Sequence, residues 1–261
     1  MQLSVCAVTV FRDLKLTDRA KAITRHGVSN IELWGLTGLD IDELEKSSKA
    51  GGWRVAGFCG NQDNALIDPE KRQGFMSELR HSISVAKRLG GSTIAVLTDQ
   101  MDPQARPIPP TRPMSRDRKL LSYYDGLSQA VKLAEAEDVN LVIEPLNTRV
   151  DHPGYFLSGT TMGFEMVQAI NSPRLKMLYD SYHMQIMEGN LIETIEQNLD
   201  VISEIHVADV PGRHEPGTGE VNYRNIIGML KANDYKGYIG LECWAKQDSD
   251  KAIRAFLELF D

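Results

Sequence analysis

Apolar residues along this chain fall in short runs, separated by longer amphipathic stretches. LSVCAVTV (residues 3–10) reads as a strand, and a short helical pattern over 20–26 stops at Gly27. SNIELW (29–34) is a second strand, and a helix over 40–50 ends at Gly51-Gly52. WRVAGFC (53–59) is a third strand. A long helix then opens at Asp68-Pro69, carries Phe75, Leu79, Ile83 and Ala86 at helical spacing, and stops before Gly90-Gly91. STIAVLT (92–98) is the fourth strand. The segment 101–115, MDPQARPIPPTRPMS, reads as a loop because its prolines disfavour regular structure; it joins a strand to a helix, where it can shape a pocket. The next helix, 116–138, places Leu120, Tyr124, Leu127, Val131 and Ala134 on one face. Strands over 139–145, 174–180, 201–209 and 238–242 then alternate with helices over 159–170, 191–199, 222–232 and 248–260.

Eight strand–helix units succeed one another with no linker or low-complexity tract. Strands joined through helices imply a parallel sheet. Eight units in 261 residues predict one closed (β/α)8 TIM barrel spanning residues 1–261, since such barrels take about 250 residues. An open doubly wound sheet is the alternative, weakened because no GxGxxG follows the first strand. The net charge of −7 argues against a surface that neutralises phosphates, so nucleic acid is not an expected partner. No apolar run approaches a membrane span, and no signal peptide is evident. Cys6, Cys59 and Cys243 are scattered and form no CxxC pair. They read as reduced, buried thiols of a cytoplasmic protein. The sequence leaves the oligomeric state open, a homo-oligomer included.

In such barrels chemistry sits at the carboxyl ends of the strands. Glu144, Asp180 and Glu242 end their apolar runs, and His206 lies late in the seventh, inside an apolar stretch. These four side chains are 36, 26 and 36 residues apart, close to one unit each. Each has a plain structural explanation alone: a rim charge for Glu144 and Glu242, a turn cap for Asp180, a core histidine for His206. Together they place three carboxylates near the barrel axis, which is strongly repulsive without a cation. Oxygen ligands with one imidazole suit a single Mg2+ or Mn2+ better than a sulfur-rich zinc site does. His26 and His81 read as structural, and His152 as an exposed loop residue. Trp34, ending the second strand, is either a pocket wall or a core residue.

EPLNTRVDHPGYFL (144–157), YDSYHMQIMEGNL (179–191), HVADVPGRHEPGTGEVNY (206–223) and GYIGLE (237–242) together resemble the hydroxypyruvate isomerases. These belong to a xylose isomerase-like barrel superfamily that also holds the ketose 3-epimerases and endonuclease IV. The resemblance runs through the C-terminal half in order; the N-terminal half agrees mainly in pattern. It implies that Glu144, Asp180, His206 and Glu242 bind the divalent metal and that Glu144 and Glu242 form an acid/base pair. It further implies that His183 and Arg213 hold oxygens of a small-molecule substrate. Asn147, three residues past Glu144, is a further substrate-contact candidate. The implied reaction converts hydroxypyruvate to tartronate semialdehyde (2-hydroxy-3-oxopropanoate). One departure bears on the substrate: many hydroxypyruvate isomerases carry glutamine where His206 stands, whereas the ketose 3-epimerases carry histidine. Thr148-Arg149, in place of the acidic residue usual in the epimerases, favours the isomerase branch. The rival readings are a ketose 3-epimerase or other sugar isomerase, a non-catalytic sugar-binding barrel, and an endonuclease IV-like nuclease. The last is disfavoured by the acidic charge and by having only one well-placed histidine.

Overall fold

The computed structural model describes residues 1–91 and 93–261; Ser92, which opens the expected fourth strand, lies outside the described residues. The elements follow the expected rhythm: β1 (Gln2–Cys6), α1 (Leu16–Thr24), β2 (Asn30–Leu33), α2 (Ile41–Gly51), β3 (Arg54–Cys59), α3 (Arg72–Arg88) and β4 (Thr93–Val96). A short pair, β5 (Gln100–Met101) and β6 (Pro107–Ile108), precedes α4 (Arg116–Glu137) and β7 (Asn140–Ile143). The chain continues through α5 (Thr160–Ile170), β8 (Leu175–Asp180), α6 (Ser181–Met187), α7 (Leu191–Glu196), β9 (Ile202–Val207), α8 (Tyr223–Ala232), β10 (Tyr238–Leu241) and α9 (Ser249–Leu257).

Eight parallel strands close into a barrel in the order β1-β10-β9-β8-β7-β4-β3-β2. The strands carry Val, Ile and Leu on both faces because one face packs inside the barrel and the other under the helices. Helix ends are set by local chemistry. The Asp40 carboxylate accepts from the Glu43 amide at 2.9 Å and opens α2. Gly52, with φ +65°, closes it. No helix among the described residues is long and apolar enough to cross a membrane.

Three local expectations change. The buried stripe of α4 runs through Tyr123, Leu127, Ala130, Val131 and Ala134, while Tyr124 is exposed. The reason lies at Gly126: a Cβ there would clash with the Arg72 guanidinium, which crosses the helix to donate to the carbonyls of Leu66 and Ser122. Second, the proline-rich segment is partly regular. Met101 faces Pro107 in an antiparallel pair, an edge position where proline's missing N–H costs nothing. Third, the α6 helix lies between β8 and α7, where no element was expected; its seven residues are too few to show a period.

Candidate active site

Glu144 and Glu242 stand one residue past the ends of β7 and β10, Asp180 is the last residue of β8, and His206 lies in β9. One ligand atom from each lies within 4.8 Å of the corresponding atoms of the other three. The structure thus brings together all four residues singled out as metal ligands. Asp180 divides its work. Its Oδ1 caps α6 by accepting from the Tyr182 and His183 amides at 2.8 and 3.2 Å. Its Oδ2 stays in the cluster, 3.0 Å from Arg213 Nη2.

Arg213 also reaches Glu242 Oε2, at 2.5 Å. It neutralises part of this charge, chiefly at Asp180 and Glu242; on Glu144 it acts more weakly than the two carboxylates do. Burial, reinforced by the charges of Glu242 and Asp180, pushes Glu144 well above the usual carboxylate range. Burial acts the same way on Glu242, but Arg213 and His206 outweigh it and hold that carboxyl well below the usual range. Three carboxylates and one imidazole, with only one guanidinium against them, are a donor set suited to a divalent cation. Such a cation would compete with a proton on His206, since a ligating nitrogen must be unprotonated.

His183 is almost fully buried beside the cluster, with Nε2 3.5 Å from Asp180 Oδ2. Its Nδ1 faces two donors of Asn147, the backbone N–H at 3.3 Å and the side-chain amide at 2.7 Å. Nδ1 is therefore the acceptor and Nε2 carries the proton. Burial, with Arg213 nearby, pushes the ring well below the usual histidine range and keeps it neutral. Asn147 is fully buried; its Oδ1 accepts from the Val150 and Asp151 amides at 3.0 and 2.9 Å. Its Nδ2 also donates to Asp151 at 2.6 Å. The side-chain oxygen and nitrogen of Asn147 are thus engaged within the protein, where the amide holds His183.

A cavity of about 740 Å3 opens above the cluster. Trp34 resolves into its wall: half-exposed, it donates Nε1–H to the Glu242 carboxylate and packs edge-on against Trp244 with ring centroids 5.4 Å apart. Residues of the 101–115 segment, Met101 and Ile108 among them, line the same cavity. His152 is not the exposed residue expected. It is buried, because the loop after β7 folds inward and sets its Nδ1 2.6 Å from the Ala105 carbonyl.

The loop after β9 presents Arg213 through a knot invisible in the residue pattern. The fully buried Asp209 carboxylate accepts four backbone N–H groups: Val210 and Val221 at 3.0 Å, Gly217 at 2.9 Å and Gly219 at 2.8 Å. Gly219 is required because a Cβ would sit 2.1 Å from the Val210 carbonyl oxygen. His214 and Glu215 acquire structural roles. His214 Nδ1 lies 2.7 Å from the Trp244 carbonyl, and Glu215 accepts from the Lys246 amide at 2.9 Å. Arg213 itself adopts a left-handed backbone, φ +55°.

Two functional candidates escaped the sequence reading. Glu32 and Glu204, both buried, approach His206 Nε2 at 2.8 and 3.5 Å, on the ring edge away from Glu242. Glu204 stands two residues before His206 and so shares its face of the strand. That alternation was the available signal. Burial and the charge of Glu32 push the Glu204 carboxyl up to about 7.

A barrel with metal-capable carboxylates and an imidazole at its carboxyl-terminal mouth belongs to a recognisable class, and the comparisons agree. The xylose isomerase-like TIM barrel family model matches residues 20–261, and the chain belongs to that family. It is 31% identical to the hydroxypyruvate isomerase of Escherichia coli, across 94% of both chains. It is 32% identical to a 2-oxo-tetronate isomerase of Cupriavidus necator, over 67% of this chain and 63% of that one. A crystal structure described as an AP endonuclease of family 2 from Brucella melitensis superposes with a TM-score of 0.89 over 98% of each chain. At 22% identity that likeness speaks to the fold alone. The chain is an enzyme of the isomerase class.

Proposed function

We propose that residues 1–261 act as one barrel domain that isomerises a small hydroxy-keto acid or short sugar, hydroxypyruvate to tartronate semialdehyde being the leading reaction. The observation that carries this reading is the convergence of Glu144, Asp180, His206 and Glu242 within 4.8 Å beside the part-buried Arg213. In this reading the four hold one Mg2+ or Mn2+. The ion would supply Lewis-acid stabilisation for negative charge developing on adjacent substrate oxygens.

The remaining work belongs to the side chains. Isomerisation moves a proton between neighbouring carbons, which one carboxylate on each side of the substrate can accomplish. Glu144 and Glu242 come from strands three apart around the ring, so they flank the cavity floor. Arg213 offers a fixed positive charge to a substrate carboxylate. Its Nη2 already holds Asp180 and Glu242, which fixes the guanidinium at the cavity. His183, neutral and lining the cavity with Nε2 beside Asp180, donates to a substrate oxygen in this reading, and Asn147 fixes its tautomer.

Replacing Glu144 or Glu242 separately with glutamine tests the pair. Each substitution is expected to lower kcat by roughly 10^2 to 10^4. Full turnover in either variant overturns the two-carboxylate mechanism.

A second reading, a ketose 3-epimerase, is favoured by the imidazole at 206 and by a cavity of about 740 Å3, which far exceeds a three-carbon acid. Incubation with hydroxypyruvate and with a ketohexose panel in deuterated water separates the two. Deuterium uptake without an aldehyde product indicates epimerisation.

A further inference from the structure

The carboxylate pair behind His206 is not used by the mechanism above. Glu32 Oε2 lies 2.8 Å from His206 Nε2, while His206 Nδ1 faces Glu242 Oε2 at 3.1 Å. The two ring nitrogens therefore have separate tasks. A proton on Nε2 donated to Glu32 leaves the Nδ1 lone pair aimed at the cluster of Glu144, Asp180 and Glu242. Metal-ligating histidines commonly depend on such a carboxylate on their second nitrogen.

The backbone is arranged to allow this contact. Glu32 sits on β2 and His206 on β9, with β1 and β10 between them. Gly240 on β10 is directly beside His206 in the register. A Cβ at Gly240 would lie 2.7 Å from Glu32 Oε1 and 2.9 Å from His206 Cδ2. Its φ is not in the left-handed region, so the glycine answers to space rather than to conformation. It opens the channel through which the Glu32 side chain reaches the ring.

We infer that Glu32 is a positioning residue: it holds the His206 tautomer and ring orientation that make Nδ1 a metal ligand, and Gly240 is the opening that lets it do so. The inference rests on the metal-centre reading given above.

The test is a Mn2+ titration of the metal-free full-length protein, followed by electron paramagnetic resonance, so that activity is not the readout. Wild type is expected to bind one Mn2+ per chain. Glu32→Leu is expected to bind it roughly 10- to 100-fold more weakly. Gly240→Ala removes no polar group yet crowds Glu32, and is expected to weaken binding in the same direction. In a His206→Gln background the ligand needs no imidazole tautomer, so adding Glu32→Leu should cost less than about threefold. A merely structural Glu32 would impose the same loss in both backgrounds, and that additive result overturns the inference. So does wild-type affinity in Glu32→Leu when Asp180→Asn abolishes binding. Two Mn2+ per chain would make Glu32 and Glu204 ligands of a second ion and overturn it as well. Wild-type binding in Asp180→Asn refutes the metal-centre reading itself, and the inference with it.

Discussion

Asp209→Asn is a near-isosteric change that tests how Arg213 is presented. The native carboxylate accepts four backbone N–H groups, two on each oxygen. Asparagine keeps one acceptor oxygen and turns an amide NH2 toward the other two donors. Two bonds are lost, and donors are set against donors in a fully buried place. Hydrogen bonds to a charged group contribute about 1.5–3 kcal/mol each, so two lost bonds cost roughly 3–6 kcal/mol, less whatever the loop recovers by opening to water. We expect a net loss of about 3 kcal/mol, or a Tm lower by roughly 6–12 °C for a chain of this size. Differential scanning calorimetry measures it. Because the same loop carries Arg213, kcat/KM should also fall by about tenfold or more, as it does when a positioning loop loosens. A Tm within about 2 °C of wild type, below 1 kcal/mol on the same scale, would refute the view that Asp209 ties the loop.

Three further outcomes follow from the same geometry. Arg213→Met leaves Asp180 and Glu242 without their shared cation, so kcat/KM for a carboxylate-bearing substrate should fall by about 10^2 or more, with a smaller loss for a neutral sugar; steady-state kinetics on both substrates checks it. Gly219→Ala drives a Cβ into the Val210 carbonyl and should destabilise by about 2 kcal/mol or more in urea unfolding, because backbone is the obstacle. Asp68 gives a pH dependence. Burial opposes its charge, but donation from the Thr111 amide and hydroxyl, both at 2.7 Å, and from the Glu70 amide holds its carboxyl below the usual range. Its folded pKa is thus depressed, so its stabilisation is complete above about pH 4 and disappears as pH falls through the folded value. Urea denaturation should show Asp68→Asn less stable than wild type by about 1–2 kcal/mol at pH 7, with the gap closing below pH 4.

The barrel was legible because its strands are buried on both faces and its helices on one, so period and punctuation alternate cleanly from β1 to α9. The four metal candidates were legible because three end apolar runs, and His206 lies late in one, at the rim where barrels gather chemistry. Glu32 is not legible because it sits inside the SNIELW run, two residues before the rim, where only the fold shows a buried carboxylate facing His206. Asp209 reads as one more loop aspartate, because its partners are backbone amides up to twelve residues away, which no side-chain pattern encodes. Asn147 illustrates a different limit. Its spacing from Glu144 is right for a substrate contact, but how an amide divides its bonds is decided by the fold of the 147–155 loop. His152 is buried by the same loop, since an inward turn cannot be told from an outward one by composition.

Measuring proton transfer with and without metal tests the central claim most directly. The chain, stripped with a chelator and then reloaded with Mg2+ or Mn2+, is incubated with hydroxypyruvate in deuterated water and followed by NMR. Interconversion with tartronate semialdehyde is expected, with solvent deuterium in the product and a loss of at least about 100-fold on stripping that reloading reverses. Equal turnover in the stripped and reloaded protein would contradict it.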